Sequence, residues 1–320
     1  MKKKLLFGPV LSRRLGRSLG LELVPKKICT LNCIYCEVGK TTYLTKERKA
    51  YYPWELIEKS IFMAKEMQDK FDVLTITGSG EPVLNIYFEK TVELAKKEIT
   101  KPVAILTNST LINIESIRKA LSKLDIVLAS LDSAREESFK KVNQPAPGIE
   151  VKEIIEGLKI LREEMEGELW LEVLLVEGVN DTQEDLEALK QAIEYINPHK
   201  IQLNTVIRPP AYKIAKPLDF ERLQKIADFL GKKAEVIVSK RKLDSRKLSK
   251  KLILNSEEIV EYLKRRPAPI DEIAKAFEIE EKILLNYLKE LISKKIIEQK
   301  EHYGKVYFFI KGNAEGKEIL

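Results

Sequence analysis

From about residue 19 to residue 240, short runs rich in Val, Ile and Leu alternate with stretches of helical periodicity, and this alternation limits the fold more than any other feature. The β-like runs lie at 19–24, 73–76, 102–106, 126–130, 169–176 and 200–206. Helical patterns follow them at 53–70, 86–98, 114–121, up to about 166, then 182–196 and 220–230, with one more β-like run at 234–238. Repeated strand–helix pairs return the chain to the same edge of a sheet, so they predict a parallel α/β architecture. Six units fall short of a closed eightfold barrel. The expectation is therefore a partial (β/α)6 barrel whose chemistry sits in the loops after the C-terminal ends of the strands.

After this body the pattern changes. Residues 239–252 form a basic connector containing Lys240, Arg241, Lys242, Arg246, Lys247, Lys250 and Lys251. Three short helical patterns (256–266, 271–277 and 280–294) and two β-like runs (296–300 and 305–310) follow. Helix–helix–helix–hairpin is the outline of a winged helix-turn-helix. The expected organisation is a barrel over 1–238, the connector at 239–252, the small module at 253–312 and a tail at 313–320. Docking of RNA, docking of a peptide or protein, dimerisation and plain support all remain open as roles for the module.

Charge is distributed unevenly. Residues 1–50 hold 12 basic against 3 acidic side chains and residues 232–251 hold 9 against 2, whereas residues 51–231 hold 23 against 31. Two basic blocks flanking an acidic body suit either a polyanionic partner or neutralisation of an anionic cofactor. The longest apolar runs are far too short to span a bilayer. Gly8-Pro9 interrupts the apolar start of the chain, so a soluble, cytoplasmic protein with no membrane contact is expected.

The three cysteines of the chain all lie within eight residues, Cys29-Thr-Leu-Asn-Cys33-Ile-Tyr-Cys36. A disulfide framework wants an even number. A structural zinc site wants four ligands, and the two histidines, His199 and His302, are remote in sequence. A cubane iron–sulfur cluster instead offers one iron to each thiolate, so three thiolates leave the fourth iron open to an outside ligand.

The Cys-x3-Cys-x2-Cys spacing, with Tyr35 before the last cysteine and a β-strand ahead of the loop, resembles the signature of the radical S-adenosylmethionine (SAM) superfamily. That resemblance implies one [4Fe–4S] cluster on Cys29, Cys33 and Cys36. It also implies SAM as cofactor and an external one-electron reductant of the flavodoxin or ferredoxin type. The open iron would chelate the amino and carboxylate groups of SAM, whose S–C5′ bond breaks reductively. The segment Thr77-Gly78-Ser79-Gly80-Glu81-Pro82 resembles the glycine–glycine–glutamate stretch that binds the SAM amino group, with Ser79 in place of a glycine. Gly78 and Gly80 would let backbone approach the ligand, and Glu81 would face its ammonium. By the same resemblance Asn108, Ser130 and Asp132 bind ribose and carboxylate, and Asn204 and Arg208 face the adenine and substrate cavity. As bare residues, all of these serve equally as turn formers, caps or surface groups at strand ends.

The opening stretch Phe7-Gly8-Pro9-Val10-Leu11-Ser12-Arg13-Arg14-Leu15-Gly16-Arg17-Ser18-Leu19-Gly20, together with Asn143-Gln144-Pro145 and Arg208-Pro209-Pro210, is similar to a radical SAM branch grouped with wyosine-type tRNA-modifying enzymes. Those enzymes carry a second cluster on further cysteines, and this chain has none left. A cysteine-based methyl carrier is excluded for the same reason. Arg13, Arg14 and Arg17 suit either a clamp on an anionic group or salt bridges to the acidic body. Three functions follow: radical chemistry on RNA, the same chemistry on a small metabolite or peptide, and, from another class, a cluster-containing DNA-binding regulator.

Overall fold

The central strands are buried on both faces, which is why near-continuous apolar runs become the parallel strands of a covered sheet. Leu74 and Ile76, Val103 and Ile105, Ile201 and Leu203 all belong to one buried core. The computed structural model describes residues 5–12, 14–237, 256–277 and 279–311. The expected connector, the tail and Arg13 lie outside the described residues.

The chain runs β1 (Leu6–Ser12), β2 (Gly16–Glu22), β3 (Ile28–Cys29), β4 (Tyr43–Leu44), α1 (Trp54–Lys65), β5 (Val73–Thr77), α2 (Phe88–Glu98), β6 (Val103–Thr107), α3 (Glu115–Leu121) and β7 (Ile126–Ser130). It continues through α4 (Glu136–Asn143), α5 (Val151–Glu164), β8 (Glu168–Leu175), α6 (Gln183–Ile196), β9 (Lys200–Thr205), α7 (Phe220–Leu230) and β10 (Ala234–Val236). The main sheet has the order β1-β2-β5-β6-β7-β8-β9-β10. All of its pairs are parallel except β1 with β2. The sequence-based expectation of a mostly parallel α/β sheet holds, and the element bounds move by a few residues.

Two differences have physical causes. The opening stretch, in which no strand was expected before residue 19, forms β1 and a hairpin onto β2, with a register shift between Phe7 and Val10 around Gly8-Pro9. The helical pattern ending near 166 splits into α4 and α5. The residues between include Pro145, Pro147 and Gly148, and Gln144 ends α4 in the left-handed conformation at φ 44°.

The sheet is curled. Arg14, in the hairpin before β2, places Nη2 2.5 Å from Glu172 Oε1 on β8. In a flat sheet these strands would stand about 19 Å apart, four spacings of about 4.8 Å, beyond the joint reach of the two side chains. The curl turns the second face of the strands inward, where Ser18 and Thr75 hydroxyls bond at 2.7 Å.

The C-terminal residues comprise α8 (Ser256–Arg265), β11 (Ala268–Pro269), α9 (Ile270–Ala276), α10 (Glu281–Ser293), β12 (Ile297–His302) and β13 (Lys305–Ile310). Their strands form a separate antiparallel sheet of order β11-β13-β12. These elements bury their own apolar cluster, onto which Val10 of β1 also packs. Arg265 lies over the Phe7 ring at 4.0 Å, and Tyr307 donates to the Ile207 carbonyl at 2.7 Å. The module therefore touches both the first strands and the segment after β9. No helix among the described residues is long and apolar enough to cross a membrane.

Candidate active site

The cysteine loop gains its shape from backbone bonds on three sides. Along one side it pairs with the turn after α4: Ile34 N donates to Val142 O, Asn32 N to Asn143 O, and Ala146 N to Thr30 O. Along another, Tyr43 N donates to Lys27 O and Thr45 N to Cys29 O, which makes the short β3–β4 pair. From the end of β5 come two more: Lys27 N donates to Ser79 O at 2.7 Å and Glu81 N to Ile28 O at 3.0 Å. Gly80 is required here, since a Cβ on it would fall 1.9 Å from the Ile28 carbonyl oxygen. The glycine predicted to admit a ligand thus admits the chain's own cysteine loop.

The three thiols are free and half-buried. Burial pushes the Cys29 thiol up to about 12, with Glu81 adding to it. Burial, then Asp132 and the other two cysteines, raises Cys33 as well. Binding a metal must displace these protons. Among the described residues, no group of three or more His, Cys, Asp or Glu side chains is arranged to hold a single metal ion. A polynuclear cluster bound corner by corner does not need its thiolates to converge on one point. Three soft donors fixed in one loop, with N–H groups directed at their sulfurs, fit an iron–sulfur group better than a hard cation.

Glu81 follows Gly80 and is 1% exposed. Its carboxyl accepts from the Thr107 hydroxyl at 2.8 Å and the Asn108 N–H at 2.7 Å. Burial nevertheless raises its pKa to about 7, against the pull of those donors. Ser79 donates through both N and Oγ to Glu22 Oε1. Gly78 faces Val24, whose Cγ2 would be 2.9 Å from a Cβ at that position.

Asp132, beyond the end of β7, accepts from Tyr35 Oη at 2.5 Å, Asn143 Nδ2 at 2.6 Å and Leu174 N at 2.9 Å. Burial lifts its carboxyl to about 6 despite these three donors. Asp132 therefore anchors the residue before Cys36. Ser130, Asp132, Asn108 and Asn143 line a cavity of about 10 Å³, room for one water molecule. Asn204 turns its amide toward Glu172 Oε1 at 3.4 Å, the same atom that Arg14 holds. Arg17 bonds Asp72, so both described arginines of the opening stretch form salt bridges.

Three groups near the loop escaped sequence reasoning. Lys27 is 5% exposed, and its Nζ lies 3.2 Å from Cys36 Sγ. Asn143 stood in a recognised stretch but without an assigned role. Glu37, next to Cys36, accepts from Arg208 Nη1 at 2.6 Å, and Arg208 Nη2 reaches Glu272 of α9 at 2.8 Å. Arg266 bridges the same two carboxylates, at 3.5 Å to Glu37 and 2.7 Å to Glu272. No motif announces such a network, because Glu37, Arg208 and the Arg266–Glu272 segment come from three separate parts of the chain.

A family profile described as the Radical SAM superfamily matches residues 23–193. A UPF0026 protein of Methanocaldococcus jannaschii is 31% identical over 98% of this chain and 98% of its own length. A Brachyspira hyodysenteriae protein named GTPase Obg is 31% identical over 91% of this chain, which spans 43% of that longer protein. A Prochlorococcus marinus protein named as a dual-specificity RNA methyltransferase is 25% identical over 56% of this chain and 53% of its own. Among solved structures, a radical SAM methyltransferase from Sphaerobacter thermophilus matches 68% of this chain and 66% of its own at TM-score 0.49 and 18% identity.

Proposed function

Because the chain belongs to the radical SAM superfamily, whose members are enzymes that use a [4Fe–4S] cluster and SAM, we propose that Cys29, Cys33 and Cys36 hold that cluster. Gly78, Ser79, Gly80 and Glu81 border the SAM site beside it, with Asn108, Ser130, Asp132 and Asn204 at neighbouring strand ends and Tyr35 bracing the loop. One observation carries this reading. The bonds from Lys27 N to Ser79 O and from Glu81 N to Ile28 O tie the cysteine loop to the strand end that bears Glu81. Thiols and carboxylate are thereby held as one unit.

Held by Cys29, Cys33 and Cys36, the cluster would supply one-electron reductive cleavage of SAM, and so the hydrogen-abstracting chemistry of the superfamily. The chain's own residues prepare this. Glu81, buried and easily protonated while alone, gains a partner in the ammonium of SAM, which favours its charged form. The Asn108 N–H and the Thr107 hydroxyl fix its orientation. The cavity lined by Asn108, Ser130, Asp132 and Asn143 has room for one water molecule, and Asn204 would contribute its amide on the neighbouring strand. The electron comes from an external reductant, for which flavodoxin or ferredoxin type is the proposal.

For the substrate, RNA is favoured over a small metabolite or a peptide. Residues 1–50 are strongly basic, and one relative carries the name of an RNA methyltransferase. All three cysteines are used by the cluster, so none remains to carry a methyl group or to quench a substrate radical. Membership in a superfamily of enzymes speaks against the DNA-binding regulator. The C-terminal elements are read as a winged helix that helps to dock the substrate.

The test is anaerobic reconstitution with iron and sulfide, reduction, addition of SAM, and chromatography for 5′-deoxyadenosine. Production that requires all three cysteines supports the proposal, whereas a loaded cluster that neither binds nor cleaves SAM overturns it. RNA retention that weakens steeply with salt supports the RNA reading; salt-independent or absent retention transfers the case to a small substrate.

A further inference from the structure

Each of the three thiols meets one side-chain N–H donor, and the three donors come from separate parts of the fold. Lys27 Nζ lies 3.2 Å from Cys36 Sγ, Asn108 Nδ2 3.4 Å from Cys29 Sγ, and Asn143 Nδ2 3.4 Å from Cys33 Sγ. Both amides are aimed by a second bond from the same nitrogen. Asn108 Nδ2 also donates to Thr30 Oγ1 at 2.8 Å, while its Oδ1 accepts from Thr110 Oγ1 at 2.8 Å. Asn143 Nδ2 also donates to Asp132 Oδ2 at 2.6 Å. Each NH2 group thus spends one hydrogen on an anchor and presents the other to sulfur. Lys27 adopts the left-handed conformation at φ 61°, with its N–H fixed to Ser79 O. That turn carries its side chain under the loop, where it is 5% exposed.

The geometry points to Lys27, Asn108 and Asn143 as positioning residues that set the reduction potential of the cluster. The inference rests on the reading that Cys29, Cys33 and Cys36 hold it. One-electron reduction by the external reductant adds one negative charge, shared among the irons and their sulfurs, and makes or breaks no bond. Hydrogen bonds to sulfur and a nearby cation stabilise the more anionic state and so raise the potential. Lys27 brings a full charge into a site that water screens little, so its effect exceeds that of either amide. Asn108 thereby gains a role beside the SAM contact proposed for it.

The experiment is an EPR-monitored redox titration of the full-length, reconstituted protein without SAM. Lys27→Met is expected to lower the reduction equilibrium at least tenfold, 59 mV for one electron. Lys27→Arg keeps the cation and stays within about threefold of wild type. Asn108→Leu and Asn143→Leu each lower it by about threefold. Unshifted potentials in Lys27→Met and both Leu variants at wild-type iron content overturn the inference. So does an Asn108→Leu protein that keeps its potential but loses SAM affinity. If the Leu variants take up no iron, the Lys27→Met and Lys27→Arg pair decides, and equal potentials in that pair overturn it. A wild-type protein that binds no iron overturns the cluster reading itself, whereas a loaded wild type with unshifted variants overturns this inference alone.

Discussion

Replacing Glu81 by Gln tests how the carboxyl beside the cysteine loop is held. The side chain is 1% exposed, and burial raises its pKa from 4.5 to about 7 against three hydrogen-bond donors. Between those two values the folded protein keeps a proton that the unfolded chain has lost. Stability therefore falls as pH rises through that window and stays at the lower level above it. At about 1.36 kcal/mol per unit, the shift corresponds to about 3 kcal/mol. Gln does not ionise. Its NH2 group presents a donor where the carboxylate accepts, which costs about 1–2 kcal/mol at every pH alike. The slope against pH is thus the readout, and the offset is not. Urea unfolding of the cluster-free, SAM-free protein from pH 4.5 to 8 should show wild-type stability falling relative to E81Q by about 3 kcal/mol. Asp132, lifted to about 6 by burial, adds a decline that is common to both proteins and cancels in the difference. Equal slopes in wild type and variant would refute the reasoning.

Cys33→Ala should abolish iron uptake while leaving the circular dichroism and the unfolding transition near those of wild type, because the thiol sits at the edge of the main core; retained cluster absorbance removes Cys33 from the ligand set. Gly80→Ala places a methyl group 1.9 Å from the Ile28 carbonyl oxygen. The cysteine loop must then move, at a cost of about 2–3 kcal/mol, and unfolding temperature and iron loading should fall together; a variant that matches wild type in both contradicts the close approach. Arg208→Met leaves Glu37 and Glu272 to share Arg266. Fully buried pairs lose about 3–5 kcal/mol when one partner is removed, but these carboxylates remain 32% and 28% exposed, so about 2 kcal/mol is expected. A double-mutant cycle with Glu272→Gln should give less than additive losses, and strict additivity would mean the pair is not coupled.

The parallel body was legible because its information is local. Val73-Leu74-Thr75-Ile76 and Val103-Ala104-Ile105-Leu106 are the short, nearly unbroken apolar runs that a strand buried on both faces of a parallel sheet demands. The cysteine spacing and Gly78-Ser79-Gly80-Glu81 were legible as chemistry for the same reason. What escaped is what the fold assembles at long range. β1 was hidden because Gly8-Pro9 interrupts its pattern. Lys27 reads in sequence as one of two loop lysines, and only the closing of residues 79–81 and 142–146 around the loop buries it. Asp132 was singled out for the right neighbourhood, yet its partners are Tyr35, Asn143 and the Leu174 N–H. Arg208 joins residues 171 and 64 positions away. No local pattern encodes such a meeting.

The contact of Arg208 and Arg266 with Glu37 has one further consequence. Glu37 directly follows Cys36, so the ion network that seats the C-terminal helices grips the same stretch of backbone that must stay in place to hold iron. By linkage, whatever free energy iron gains from an ordered loop is returned to the docked module, and the reverse holds equally. Maturation of the protein is then legible at a distance. Protease sensitivity of α8 to α10, far from any thiol in sequence, becomes a gauge of whether the iron has been delivered.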